Sequence, residues 1–468
     1  MRPGRDDQPA PRPGGAGRGG RRDAVRGDRA RLRGPGGGGQ RRRARPTGGP
    51  GGTHRAGTRP GRAGPGAPGR QGRGPDPRGQ RRRRPRLRPD RRDHRQPPVL
   101  PARRLLPGAR HRGRGHTVTR LIGPAELRRF SAGSRLFATG AAESSYGLTF
   151  AWAESVLGEG VELAAAAELD PETLCMVVSL VGSTTALGEQ LPAGDEPVRA
   201  VRALERWMGE RAGAVVALNL AAENALIPLV AAAVLGLPLV DGDGTGRVFP
   251  LVEQTTYRLG GLSATPMALA GASGELVLLE TAADRVEELL RPVVLSVGGW
   301  AVAACYPMAA RDLARVLVPG TVSLLLAAGE PGAPRSAAAP YGVRTLCSGR
   351  ILTVEGSTGH GADVAMPSLP ASIVVQESAG LRRLVRLEAH NEIVLALADG
   401  APVAMAPDQI CMISVADGMV VDVDKAAPGL EVEIMVVRAA PMWHTGPGLV
   451  LGGLRAFGIP FEQRAESP

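Results

Sequence analysis

The sequence predicts a layered α/β domain followed by a β-barrel-like domain, behind an N-terminal segment with no globular pattern. Three observations predict it. Short continuous apolar runs, the mark of strands covered on both faces, alternate with helical patterns across residues 118–335. Closely spaced strand runs joined by Asp-Gly turns fill residues 336–468. Residue usage changes abruptly near residue 117. Residues 1–116 carry 34 arginines against 7 aspartates, a net of +27, whereas the rest carries 24 basic and 38 acidic side chains, a net of −14. The overall charge of +13 therefore describes neither part.

Residues 1–117 are expected to form a disordered Arg/Gly/Pro-rich tail. Residues 1–116 contain no Glu, Lys, Ser, Ile, Asn, Phe, Tyr, Trp or Cys. Such a segment has too little apolar surface to offset an ordering entropy of roughly 1–2 kcal/mol per residue. Three readings compete for it. An RNA-binding tail would interleave aromatics. A targeting peptide needs an apolar or amphipathic stretch, and Pro98-Val99-Leu100 to Leu105-Leu106 is short and broken. Out-of-frame translation of GC-rich DNA would account for the joint absence of Lys, Glu and Ser, and would put the expected start at Val118.

Within 118–335, Pro124 to Phe130 reads as a first helix with Pro at its start, and Ala151 to Gly158 as a second. Cys175 to Val181 is a buried strand. Glu196 to Glu210 is amphipathic, with Val198, Val201, Leu204 and Met208 at helical spacing. Ala214 to Leu218 is a second buried strand, Asn224 to Leu235 a helix, and Leu237 to Val240 a short strand. Leu276 to Leu279 adds a strand and Tyr306 to Leu317 a helix. Strand-helix-strand order points to a parallel sheet with helices on its faces. A Pro/Gly/Ala-rich linker spans Gly329 to Ala339. Beyond it, the runs Leu384–Leu387, Ile393–Leu397, Val403–Ala406, Cys411–Val415 and Val420–Val423 surround the turns Asp399-Gly400 and Asp417-Gly418.

The longest apolar run, Ala225 to Val240, is shorter than the ~20 residues a membrane span needs and contains Pro228 and Pro238. No membrane association is expected. Cys175, Cys305, Cys347 and Cys411 form no CxxC pair, which argues against a zinc ribbon or a disulfide framework and fits a reducing cytoplasm.

The segment Asp241-Gly242-Asp243-Gly244-Thr245-Gly246-Arg247 follows a predicted strand, and ligands gather at the carboxyl ends of strands in open α/β sheets. Its glycines permit close backbone approach and positive φ. Asp241 and Asp243 are candidates to hold a proton, a cation or ligand N–H groups. Arg247 is a candidate to clamp an anionic group through paired hydrogen bonds. The competing reading is a glycine-rich turn whose aspartates cap backbone amides. An EF-hand is excluded by the absence of Glu at the twelfth position. Three further segments lie between predicted elements: the loop around Gly140, Gly182-Ser183 at a strand end, and Asn219 to Asn224. In each, helix capping competes with ligand binding. His390-Asn391-Glu392 sits between two strands of the second domain. No HxH, HExxH or GxSxG pattern occurs, so neither a histidine metal site nor a nucleophile elbow is predicted. No cofactor is indicated, and a divalent metal held by the two aspartates with scattered histidines stays open.

Leu237 to Pro250 as a whole resembles the signature of the S-methyl thiohydantoin desulfurase family. Val181-Gly182-Ser183, Leu191-Pro192-Ala193-Gly194, Asn391-Glu392, Pro407-Asp408-Gln409-Ile410 and Arg455-Ala456-Phe457-Gly458 resemble further landmarks of that family, in order, across 119–462. The resemblance implies a three-layer α/β domain and a β-barrel domain. It also implies hydrolytic loss of methanethiol from an S-methylated thiohydantoin, with a role beside hydantoinase-like enzymes. Under it Asp241, Asp243 and Arg247 are the catalytic candidates. Gly140, Gly182, Ser183, Asn219, Asn224, Gly246, Glu253, Asn391 and Glu392 are the substrate-binding ones. The chain departs from the family in alanines where glycines are usual, at Ala138 to Ala142 and at Ala221-Ala222, in Asn219 for an acid, and in Leu251 for an acid near Glu253. Added Cβ atoms penalise positive φ.

The leading expectation is a cytoplasmic hydrolase-like protein acting on a small cyclic amide or S-methyl thiohydantoin. The alternative is a non-catalytic paralogue that binds a small molecule, self-associates or pairs with an active homologue. Nucleic-acid binding through the tail is the weakest reading.

Overall fold

The structure, a computed structural model, describes residues 120–139, 143–356, 371–390 and 392–466. The expected disordered tail, Gly140 and Asn391 lie outside the described residues. Among the described residues, no helix is long and apolar enough to cross a membrane.

The first domain is a nine-stranded sheet between two helical layers. Its strands are β1 (Arg120–Ile122), β2 (Val161–Ala164), β3 (Leu174–Gly182), β4 (Ala214–Ala217), β5 (Leu239–Asp243), β6 (Met267–Ala270), β7 (Leu276–Leu279), β8 (Trp300–Ala309) and β9 (Val318–Pro319). They follow the order β1-β2-β5-β4-β3-β8-β6-β7, with β9 paired to β5. Helices α1 (Pro124–Ser134), α2 (Glu143–Val156), α3 (Thr184–Glu189), α4 (Glu196–Met208) and α5 (Glu223–Leu235) cover one face; α6 (Thr256–Leu259), α7 (Val286–Ser296) and α8 (Ala310–Val316) cover the other. α9 (Thr321–Ala328) packs on the first face against α1. The side-chain alternation of β3 shows why three layers form: Met176, Val178 and Leu180 enter one core, while Cys175, Val177 and Val181 enter the other.

The sheet is mixed rather than parallel throughout. β2, β5, β4 and β3 run parallel, but β8 lies antiparallel to β3 and β6. The expected helix Tyr306–Leu317 begins as strand: β8 continues to Ala309 and α8 begins at Ala310. An apolar run buried on both faces has no period by which to tell strand from helix. α2 begins at Glu143, earlier than its apolar pattern suggested.

The second domain is a closed antiparallel barrel of β10 (Val343–Gly356), β11 (Ala371–Glu377), β12 (Leu384–Ala389), β13 (Ile393–Ala398), β14 (Ala401–Ser414) and β16 (Glu431–Val437), with the short β15 (Val420–Val421) on β14. Pairing of β13 with β14 closes it around Ile351, Ile373, Leu387, Ile410 and Ile434. The tight turn Asp399-Gly400 has positive φ at both residues (48° and 85°), as a two-residue hairpin requires. The runs 403–406 and 411–415, expected as two strands, are one. Between them the register slips: Ile393 pairs with Ile410 and Leu395 with Met405, so residues 406–409 bulge out. Pro407, which has no N–H for the ladder, sits in this bulge. A helix α10 (Gly446–Gly452) follows the barrel.

Candidate functional site

A small cleft with about 70 Å³ of interior room opens at the carboxyl ends of β4 and β5. The end of α1 supplies Ser134 and Phe137, the β4–α5 turn supplies Leu220 and Ala221, and β5 with its loop supplies Asp243, Gly246 and Arg247. The start of α9 adds Thr321, and the bulge of β14 adds Gln409. Both domains therefore contribute walls.

Asp243 is the acid of this cleft. It is 2% exposed, at the last position of β5. Its Oδ1 accepts from the amide of Gly246 at 2.8 Å and that of Thr245 at 3.4 Å. Burial pushes its carboxyl up to about 7, against the opposing pull of these amides and that of Leu220. The glycines shape this turn. A Cβ on Gly244 would lie 2.4 Å from the Tyr257 ring, and Gly246 has φ +66. Tyr257 in turn donates to the Ala217 carbonyl at the end of β4.

Asp241 does a different job. Although it lies only two residues away, its carboxylate accepts from the Ser323 amide at 3.0 Å, from the Ser323 hydroxyl and from Arg120 at 3.3 Å. It caps the first turn of α9 and does not line the cleft. The expected convergence of Asp241 with Asp243 does not occur. Among the described residues, no three His, Cys, Asp or Glu side chains are grouped to hold a metal ion.

Arg247 lines the cleft, but its guanidinium is already engaged. It donates to the carbonyls of Val248 at 2.8 Å and Pro407, and to Glu392 Oε2 at 3.0 Å. It also stacks over the Phe249 ring, 4.1 Å from the centroid. Burial holds the Glu392 carboxyl up at about 7 against the opposing pull of Arg247. Glu392 thus meets Arg247 rather than the cleft. Nearby, Gln409 accepts from the Val248 amide and donates to the Phe137 carbonyl, joining three segments of the wall.

The other expected site residues lie elsewhere or act on the backbone. Gly182 packs against Gly299 and Trp300, and Ser183 caps α3 through the Ala186 amide. Asn224 accepts from Ser179 and from the Leu180 amide, tying α5 to β3. Asn219 accepts from the Ala221 amide and shapes the cleft wall from behind. Glu253 pairs with Arg258 at 3.1 Å, beside Val252 in the core layer on the other face of the sheet. Burial raises it to about 7. Ala222, in the β4–α5 turn, has φ +47. All four cysteines are buried and free.

Sequence reasoning missed Ser134, Phe137 and Thr321 entirely, and treated Gln409 only as a landmark. The Gly320-Thr321 step at a helix start was the one available signal for Thr321.

No functionally curated protein matches the chain. A solved structure of a protein from Chromobacterium violaceum shares the fold, with a TM-score of 0.58 at 21% identity; the match covers 74% of this chain and 99% of that one. The family model for the S-Me-THD-like N-terminal domain matches residues 125–281, and that for the S-Me-THD-like C-terminal domain matches residues 281–465. The cleft is built from both matched segments, and by these matches the chain belongs to the S-methyl thiohydantoin desulfurase-like family.

Proposed function

We propose that the protein is a hydrolase acting on a small cyclic amide of the S-methyl thiohydantoin type, with Asp243 as its general base. The observation that carries this reading is the placement of one carboxyl, raised to about 7, in the cleft. Such a group takes up and releases a proton near neutral pH, as a base activating water requires. In the reaction, water attacks the ring carbon between two nitrogens and the sulfur, and its proton passes to Asp243. The C–O bond forms as the C=N electron pair moves to the ring nitrogen, which takes the remaining hydroxyl proton; the C–S bond then breaks, and the methanethiolate leaves with the proton held by Asp243. The products are methanethiol and a hydantoin. Thiolate is a stable leaving group, so no strong acid is needed.

Arg247 acts in this reading as a strut that fixes the Asp243 loop, since its guanidinium is held by Glu392 and two carbonyls. The same engagement favours a second reading, in which the chain binds the ring without turning it over, alone or beside an active homologue. Methanethiol release by purified protein supplied with S-methyl thiohydantoin distinguishes the two. Release that is lost in Asp243→Asn supports the hydrolase. Saturable binding without release supports the binder.

A further inference from the structure

We infer that the hydroxyl and amide of Thr321, at the start of α9, form a pole that donates hydrogen bonds to the ring carbonyl oxygen of the ligand, opposite the proton-accepting Asp243. This rests on the reading of the cleft as a cyclic-amide site and adds the group that selects for the carbonyl.

The pole is built by strand pairing. β9 lies antiparallel to β5, with Val318 opposite Asp243 and Pro319 opposite Gly242. Gly320, at φ +75, turns the chain out of β9 and donates its amide to the Asp241 carbonyl at 2.9 Å. α9 then starts at Thr321, three residues beyond the partner of Asp243. The Asp241 carboxylate takes the amide of Ser323. That leaves the amides of Thr321 and Val322, the first two of the helix, without a protein acceptor among the described residues. Asp241 therefore seats the helix start, while the two free amides carry its positive dipole end.

A second observation points to a ligand. Thr321 lines the cleft and is 8% exposed, and its hydroxyl has no hydrogen-bond partner among the described residues. Buried hydroxyls are nearly always paired, so an unpaired one in a cleft wall marks a place where a ligand atom completes the bond. The cleft therefore offers an acceptor at Asp243 and a donor at Thr321, the first residue of α9, and Leu220, Leu324 and Leu325 add apolar surface. A five-membered ring carrying a C=O beside its N–H or attacking water satisfies both poles. Charge that develops on that oxygen during attack would be held by the same donors.

The test compares two probes on the full-length protein: S-methyl thiohydantoin, and an S-methyl cyclic isothiourea of the same ring size that lacks the carbonyl. Affinity is measured by calorimetry, or as KM where turnover occurs, for wild type, Thr321→Val and Thr321→Ser. The valine variant should bind the carbonyl probe roughly fivefold to tenfold more weakly, with no change for the carbonyl-free probe. The serine variant should match wild type. Unchanged affinity of Thr321→Val for the carbonyl probe, or equal weakening for both probes, overturns the inference. Methanethiol release with no effect of Thr321→Val overturns the pole and leaves the hydrolase reading standing. The expected affinity pattern without methanethiol release overturns the hydrolase and leaves the pole standing. Binding of neither probe overturns both.

Discussion

Arg247 Nη2 lies 3.0 Å from Glu392 Oε2, and each side chain is only 2% exposed. This buried pair joins the loop after β5 to the residue that precedes β13. With the bond from Arg247 to Pro407 in the β14 bulge, it fixes how the barrel meets the Asp243 turn. Removing one member of a buried pair strands the other charge, which typically costs about 3–5 kcal/mol. Arg247→Met and Glu392→Leu should each destabilise the protein by about that amount in urea unfolding. The double variant should recover part of the loss. Arg247→Lys should not restore stability, because an ammonium cannot reach the three acceptors with the planar spread of a guanidinium.

Ala222 holds φ +47 and ψ −118 at the start of α5, a conformation that suits glycine. A non-glycine residue there carries strain of roughly 1–3 kcal/mol, against which glycine's extra freedom in the unfolded chain weighs about 0.4–1 kcal/mol. Ala222→Gly should therefore raise stability by about 1 kcal/mol, read as a higher urea midpoint with unchanged slope.

Asp243, Glu253 and Glu392 are all raised to about 7 by burial. A carboxyl raised on folding binds its proton more tightly in the folded state. Its contribution to stability is complete below the unfolded pKa and is lost as pH rises through the folded one. Thermal stability should therefore fall between about pH 4 and about pH 7 and then level off, and Asp243→Asn should flatten part of that slope. With Asp243 as the proposed base, activity should run the other way, because the base must be deprotonated.

Asp241 and Asp243 separate by role. Asp241→Asn should weaken the cap on α9, at about 1 kcal/mol, and leave the pH dependence of turnover in place. Asp243→Asn should remove that dependence along with the activity.

Much of the fold was legible. The apolar runs of β3 and β4, the amphipathic α4 and the Asp399-Gly400 hairpin each carry a local signal that the structure keeps. β8 was misread in part because burial on both faces erases the period. The site was legible only by segment. Asp241 and Asp243 look equivalent along the chain, and only the pairing of β9 with β5 turns one to α9 and leaves the other in the cleft. Glu392 stood out as an acid between strands, but its partner lies 145 positions away. Thr321 carries only the weak signal of the Gly320-Thr321 step and Gln409 only its place in a landmark, and strand register brings both to the cleft.

Asp243 is proposed as the base of a methanethiol-releasing site. Its most direct test is the rate of methanethiol release from S-methyl thiohydantoin by wild type, Asp241→Asn and Asp243→Asn, measured from about pH 5 to about pH 9. Wild type and Asp241→Asn should release it at rates that rise through about pH 7, and Asp243→Asn should be at least ~100-fold slower across the range. Release by Asp243→Asn at the wild-type rate, or no release by wild type at any pH, would contradict the account.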